Sequence, residues 1–227
     1  MGFLKNKNSI AAVAAAVLVI VSFLTAVKFL SNTVEEHYES VKTVCLDAGH
    51  GADDAGAISA DGVRIEKNDN LRLTLKVRDL LEERGVKVVL TREDDSDITL
   101  KERCKLANKK RCDLFVSLHR NSAVSGSGFE AWIAKEPKGN EEEIAKKLVK
   151  ALCDISELPD RGVKRGYRNS SGNNYYVNSN TNMPSILLEV GFVTNEADNK
   201  SFDENLGKNA EAIADIIYES LLKTEQA

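Results

Sequence analysis

The sequence predicts one α/β domain, a mixed and largely parallel sheet flanked by helices, preceded by a single N-terminal transmembrane helix. Three observations carry this. Short apolar runs alternate with stretches of helical periodicity from residue 43 to residue 222. The runs stop at glycine-rich or polar loops, which is how strands of such sheets end. Ahead of them stands an uncharged apolar stretch about as long as the roughly 20 residues that span a bilayer core. With that stretch set aside, 227 residues leave enough chain for one full core.

The apolar stretch is residues 9–27, SIAAVAAAVLVIVSFLTAV. Lys5 and Lys7 precede it and Glu35 and Glu36 follow it, so the positive-inside rule puts residues 1–8 in the cytoplasm and the body outside. A cleaved signal peptide, giving a secreted protein, is the alternative. The run is long for a signal peptide, however, and Val27, Lys28, Phe29 and Leu30 offer no small-residue cleavage site. Residues 9–30 are thus expected to be an uncleaved anchor, and residues 31–42, polar and mixed in charge, a juxtamembrane linker.

From residue 43 the elements follow in order. TVCLDAGHG is an apolar strand ending at glycines, and a Gly- and Asp-rich loop continues to Gly62. Residues 68–84 space Leu71, Leu75, Leu80 and Leu81 as a helix does, with Gly85 placed to end it. VKVVLTR (86–92) is a second strand and residues 99–109 a second helix. DLFVSLH (113–119) and residues 128–134 are strands, 141–155 a helix, 175–177 a short edge strand, SILLEVG (185–191) a central strand, and about 205–222 the last helix. The domain so defined covers residues 43–223.

Charge excludes one class of partner. Lys plus Arg number 31 against 35 Asp plus Glu, so there is no global basic field to hold nucleic acid. Cys45, Cys104, Cys112 and Cys153 lie in predicted buried elements without C-x-x-C spacing, and read as small buried hydrophobes rather than disulfides.

In open α/β sheets, functional residues gather beyond the carboxyl ends of the strands. His50 follows the first strand closely, His119 ends the third, and Glu189 lies near the end of the central one; the chain has only three histidines. Two histidines and a carboxylate with one open position are the ligand set of several catalytic zinc sites. Glu66, at the start of the first helix, is a candidate third ligand, but spacing does not separate it from Asp47, Asp53, Asp54, Asp61 or Asp69. A glutamate at position 189 of an apolar strand is costly to bury unless paired, for instance with Arg92 or Arg120, or used in chemistry.

LDAGHG (46–51), EKN (66–68), TRE (91–93), LKERCKLAN (100–108), SLHRN (117–121), GFE (128–130) and PSILLEVGFVTN (184–195) closely resemble the zinc-dependent N-acetylmuramoyl-L-alanine amidases with the type 3 amidase domain. The resemblance covers nearly everything after the linker. It implies that His50, Glu66 and His119 bind one Zn2+ per chain and that Glu189 is catalytic. It implies hydrolysis of the amide between the lactyl group of N-acetylmuramic acid and L-alanine, so peptidoglycan is the expected partner, together with the cytoplasmic membrane through the anchor. A short anchored chain also resembles the amidases that modify spore cortex peptidoglycan.

The family motif usually reads D-P-G-H-G-G, whereas this chain has Ala48 and Ala52; Asn68 replaces an acid and Arg120 a small residue. Arg120 and Asn121, beside His119, are candidate substrate-binding residues. Two other functions share the motifs: a metallopeptidase cutting within the stem peptide, and an inactive wall-binding regulator. Retention of both histidines and both glutamates argues against the latter.

Overall fold

A computed structural model describes residues 12–13, 16–31, 41–168 and 173–223. The chain divides into two units, Met1–Val41 and Lys42–Ala227. In the first, residues 16–31 form a helix, α1, with exposed apolar side chains. Among the described residues, no helix is long and apolar enough to cross a membrane. The expected anchor and linker lie partly outside the described residues.

The second unit runs β1 (Thr43–Ala48), α2 (Glu66–Glu83), β2 (Lys87–Leu90), α3 (Leu100–Lys110), β3 (Leu114–Asn121), β4 (Phe129–Ile133), α4 (Glu141–Ser156), β5 (Asp160–Arg165), α5 (Tyr176–Asn180), β6 (Ser185–Phe192) and α6 (Glu196–Lys223). The six strands form one sheet in the order β2-β1-β3-β6-β4-β5. β2, β1, β3 and β6 are mutually parallel, β4 is antiparallel to β6, and β5 is parallel to β4. This is the expected mixed, mostly parallel sheet.

Strand alternation sorts side chains onto two faces. Val44 and Leu46 of β1, Leu114, Val116 and Leu118 of β3, and Ile186 and Leu188 of β6 join Leu73, Val77, Ile213 and Ile217 in the larger core under α2, α4 and α6. Cys45, Phe115, Trp132 and Leu187 point the other way and form a smaller core with Cys104 and Ala107 of α3 and Val177 of α5. All four cysteines are unbridged, three of them buried. That smaller core covers the opposite face only in part, and the uncovered part, at the strand carboxyl ends, is where the site forms.

Three boundaries depart from the expectation. β5 is an added strand at the sheet edge, partly exposed; its sequence DRGVKR has no apolar alternation, and Gly162 has φ +76°. Residues 175–177 are not an edge strand but lead into α5, because Val177 and Asn178 are buried and the Asn178 amide donates to Trp132 O at 2.9 Å, so packing overrides the strand propensity of YYV. α6 begins at Glu196, well before the expected start near residue 205. The Asn195 side chain accepts from the Ala197 and Asp198 amides at 2.9 and 3.2 Å, an N-cap that the leucine spacing does not reveal.

Candidate metal centre and active-site cleft

The loop after β1 turns immediately. His50 has φ +63°, a conformation uncommon for non-glycine residues and one that concentrates at functional sites. Its position is fixed by two buried arginines. Arg92 donates to Ala48 O (2.9 Å), Gly49 O (3.0 Å), Lys67 O (2.7 Å) and Asp94 O (2.9 Å). Arg103 donates to Ala48 O (2.7 Å), His50 O (2.8 Å) and Asp47 Oδ1 (2.6 Å). Burial opposes ionisation of Asp47, but the Arg103 charge, with hydrogen bonds from Ser117 and Thr91, holds its carboxyl below the usual range.

His50, Glu66 and His119 converge. One ligand atom from each lies within 4.8 Å of the others. His50 Nε2 is 3.2 Å and His119 Nδ1 2.9 Å from the same oxygen, Glu66 Oε1, and the two rings meet edge to face at 4.9 Å. Glu66 opens α2 and is buried; its other oxygen accepts from Ala57 N at 2.8 Å, while Asn70 Nδ2 and Arg120 N reach Oε1 at 3.4 and 3.2 Å. His50 Nδ1 is held by Asp54 Oδ2 at 2.8 Å, which leaves Nε2 facing inward. Two glycines clear the space. A Cβ on Gly49 would lie 2.2 Å from His119 Cε1, and one on Gly56 would lie 2.7 Å from Glu66 Oε2.

The electrostatics match an ion-binding role. Burial alone would lower the His50 pKa, but hydrogen bonds and charge from Glu66 and Asp54 raise it to about 9. Burial likewise opposes ionisation of Glu66, yet the two imidazoles hold it well below the carboxylate range. Two imidazoles and an ionised carboxylate, directed at one point and open on the cleft side, fit a divalent zinc-type ion by donor chemistry.

Glu189 pairs in register with His119 across β3 and β6. It is 7% exposed, makes no ion pair with Arg92 or Arg120, and its Oε2 is buried without a partner. Burial first, then the charges of Glu66 and Glu130, push its pKa up to about 7. A cleft of about 780 Å³ opens over these groups.

The two candidate substrate-binding residues sit differently. Alternation along β3 turns the Arg120 side chain to the helix-covered face, where it is 1% exposed. There it pairs with Asp69, donates to Asn199 Oδ1 at 2.6 Å and stacks on Phe202 with its guanidinium carbon 4.3 Å from the ring centre. Its guanidinium therefore supports α2 and α6 rather than facing a substrate. Asn121 remains at the cleft, its Oδ1 accepting from Arg168 and from Ser122 N at 2.7 Å. Sequence reasoning did not single out Arg92, Arg103, Asp54, Glu130 and Arg168 for the roles they have here. The family-like motifs contain Arg92, Arg103 and Glu130, but their partners are brought near only by the fold.

A buried carboxylate and two imidazoles converging beside an unpaired buried glutamate, at the carboxyl ends of a mostly parallel sheet, define a hydrolase-type cleft with a candidate metal centre. The chain belongs to the N-acetylmuramoyl-L-alanine amidase family Amidase_3, which matches residues 44–223. It is 40% identical over 176 residues to the uncharacterized protein YqiI of Bacillus subtilis strain 168, covering 76% of this chain and 81% of that protein. It is 30% identical over 224 residues to the germination-specific N-acetylmuramoyl-L-alanine amidase of the same organism, covering 90% of each. The catalytic domain of CwlV, an N-acetylmuramoyl-L-alanine amidase from Bacillus (Paenibacillus) polymyxa var. colistinus, superposes with a TM-score of 0.71 at 36% identity, covering 80% of this chain and 98% of that one.

Proposed function

We propose that this amidase hydrolyses the amide joining the lactyl group of N-acetylmuramic acid to L-alanine in peptidoglycan. In this reading His50, Glu66 and His119 hold one zinc ion and Glu189 is the general base. The observation that carries it is Glu189 itself. A buried carboxylate with a partnerless oxygen, its pKa near 7, stands next to three converging ligand groups, which is the state a proton-transfer group needs. A zinc ion held by His50, Glu66 and His119 would supply positive charge for polarising a carbonyl and lowering the pKa of water.

The chain's own residues do the rest. Asp54 orients the His50 ring, and Asn70 together with the Ala57 and Arg120 amides fixes Glu66. Glu189 takes a proton from the attacking water and delivers it to the alanine nitrogen as the C–N bond breaks, so the products are a free lactyl carboxylate and a stem peptide with a free amine. No covalent enzyme intermediate is required. The apolar run at residues 9–27 would tether this unit to the outer face of the cytoplasmic membrane, where its polymer is. A role in spore peptidoglycan is supported by the likeness to the germination-specific amidase.

The test measures bound zinc and digestion of purified peptidoglycan by the wild type and Glu189→Gln. About one zinc in each, with stem peptides bearing a free N-terminal alanine released by the wild type alone, is expected. Shortened stems still attached to muramic acid would instead identify a peptidase. A zinc-loaded wild type that releases neither product would overturn the enzymatic reading.

A further inference from the structure

We propose that Arg168 is a carboxylate-binding residue of the cleft, selecting stem peptides that carry a free carboxylate near the scissile amide. The proposal rests on the amidase reading above. Among the described residues, three arginines line the cleft: Arg103, Arg120 and Arg168. The first two are buried and committed elsewhere, Arg103 to Asp47 and backbone carbonyls, Arg120 to Asp69 and Asn199. Arg168 differs. Its side chain is 38% exposed, donates to Ser122 O at 3.2 Å and to Asn121 Oδ1, and stands 3.5 Å from Glu130 Oε1.

Neutralising Glu130 does not account for Arg168. Glu130 is buried on β4, in register with Glu189 on β6, and already accepts from Arg161 Nε at 2.8 Å, from Lys164 Nζ and from Trp132 Nε1 at 3.0 Å. Three cations thus stand against two carboxylates, Glu130 and the neighbouring Glu189, which leaves positive charge in excess beside the cleft. Crowding like charges this way is unfavourable unless an anion joins them. Asn121 fixes the guanidinium at the cleft wall, and a guanidinium held so is suited to a carboxylate. The acidic residues that follow L-alanine in a stem peptide supply that group, on the same side of the bond as the leaving amine.

The experiment compares two forms of one purified peptidoglycan, its stem carboxylates either free or converted to amides by carbodiimide and ammonia, and measures the rate of release of N-terminal alanine at graded polymer concentrations. For the full-length zinc-loaded enzyme, kcat/KM on the free form is expected to exceed that on the amidated form about tenfold, the worth of one charge-assisted hydrogen bond. In Arg168→Gln that ratio falls toward one, mainly through KM, and Arg168→Lys keeps part of it. Raising salt lowers the wild-type ratio, which gives the same reading without a substitution. Equal kcat/KM for the two forms in the wild type, or an undiminished ratio in Arg168→Gln, overturns the assignment of Arg168 and leaves the amidase reading standing. Release from neither form overturns the amidase reading itself.

Discussion

Replacing Glu189 by glutamine is expected to abolish activity while stabilising the metal-free protein, and to do so only above a definite pH. In the folded chain Glu189 keeps its proton up to about pH 7, whereas its ordinary value is 4.5. Below that ordinary value both folded and unfolded states are protonated and the group contributes nothing. As pH rises through the window the unfolded state sheds the proton first, so stability is lost progressively, and above about pH 7 the whole penalty is present. The shift of roughly 2.5 units corresponds to about 3 kcal/mol. Glutamine carries no charge at any pH, so the advantage of the variant over the wild type should grow by about 2–3 kcal/mol between pH 5 and pH 8. The assay is urea unfolding of both proteins with chelator present at the two pH values, where any fixed cost of the amide cancels in the difference. Parallel curves, with the same advantage at pH 5 and pH 8, would refute the claim that Glu189 is held in a destabilising environment. Zinc should shrink the effect, since a nearby cation favours the carboxylate.

Other consequences can be measured separately. With the His50 pKa raised to about 9 in the metal-free chain, zinc must displace its proton, so affinity should climb about tenfold per pH unit between pH 6.5 and 8.5; chelator competition that finds a flat profile contradicts this. Gly49→Ala would drive a Cβ into the His119 ring, and loss of bound zinc is expected while far-ultraviolet circular dichroism stays native. Arg120→Leu removes one of the two arginine partners of the buried Asp69 carboxylate, leaving Arg64 on both of its oxygens, and should cost about 2 kcal/mol in unfolding experiments; kcat/KM of the folded fraction should hold, and a specific rise in KM would return Arg120 to the substrate.

The alternation of strands with helices made the layered fold legible, because each central strand is an unbroken apolar run bounded by turn residues. β5 escaped that reading since an edge strand facing solvent needs no apolar pattern, and its register is set by β4 rather than by its own residues. At the site, His50, His119 and Glu189 could be picked from strand ends alone. Glu66 could not be separated from the neighbouring aspartates by spacing, because the choice is made by how residues 49–65 fold back, with the Gly51–Asp54 and Ile58–Ile65 bridges and the Ala57 amide presenting it. For Arg120 the signal was present: in SLHRN, a residue one step from His119 along a strand must point to the opposite face.

The arginine clamp on the loop after β1 bears on a substitution in the motif. Where the family pattern has proline, a residue that stiffens the chain by locking its own backbone torsion, this protein has Ala48. Arg92 and Arg103 both grip the carbonyl oxygen of that residue, and every amino acid supplies the same oxygen. Rigidity here is imposed from outside the loop, by side chains arriving from just after β2 and from α3, so holding this carbonyl in place does not call for a ring at residue 48.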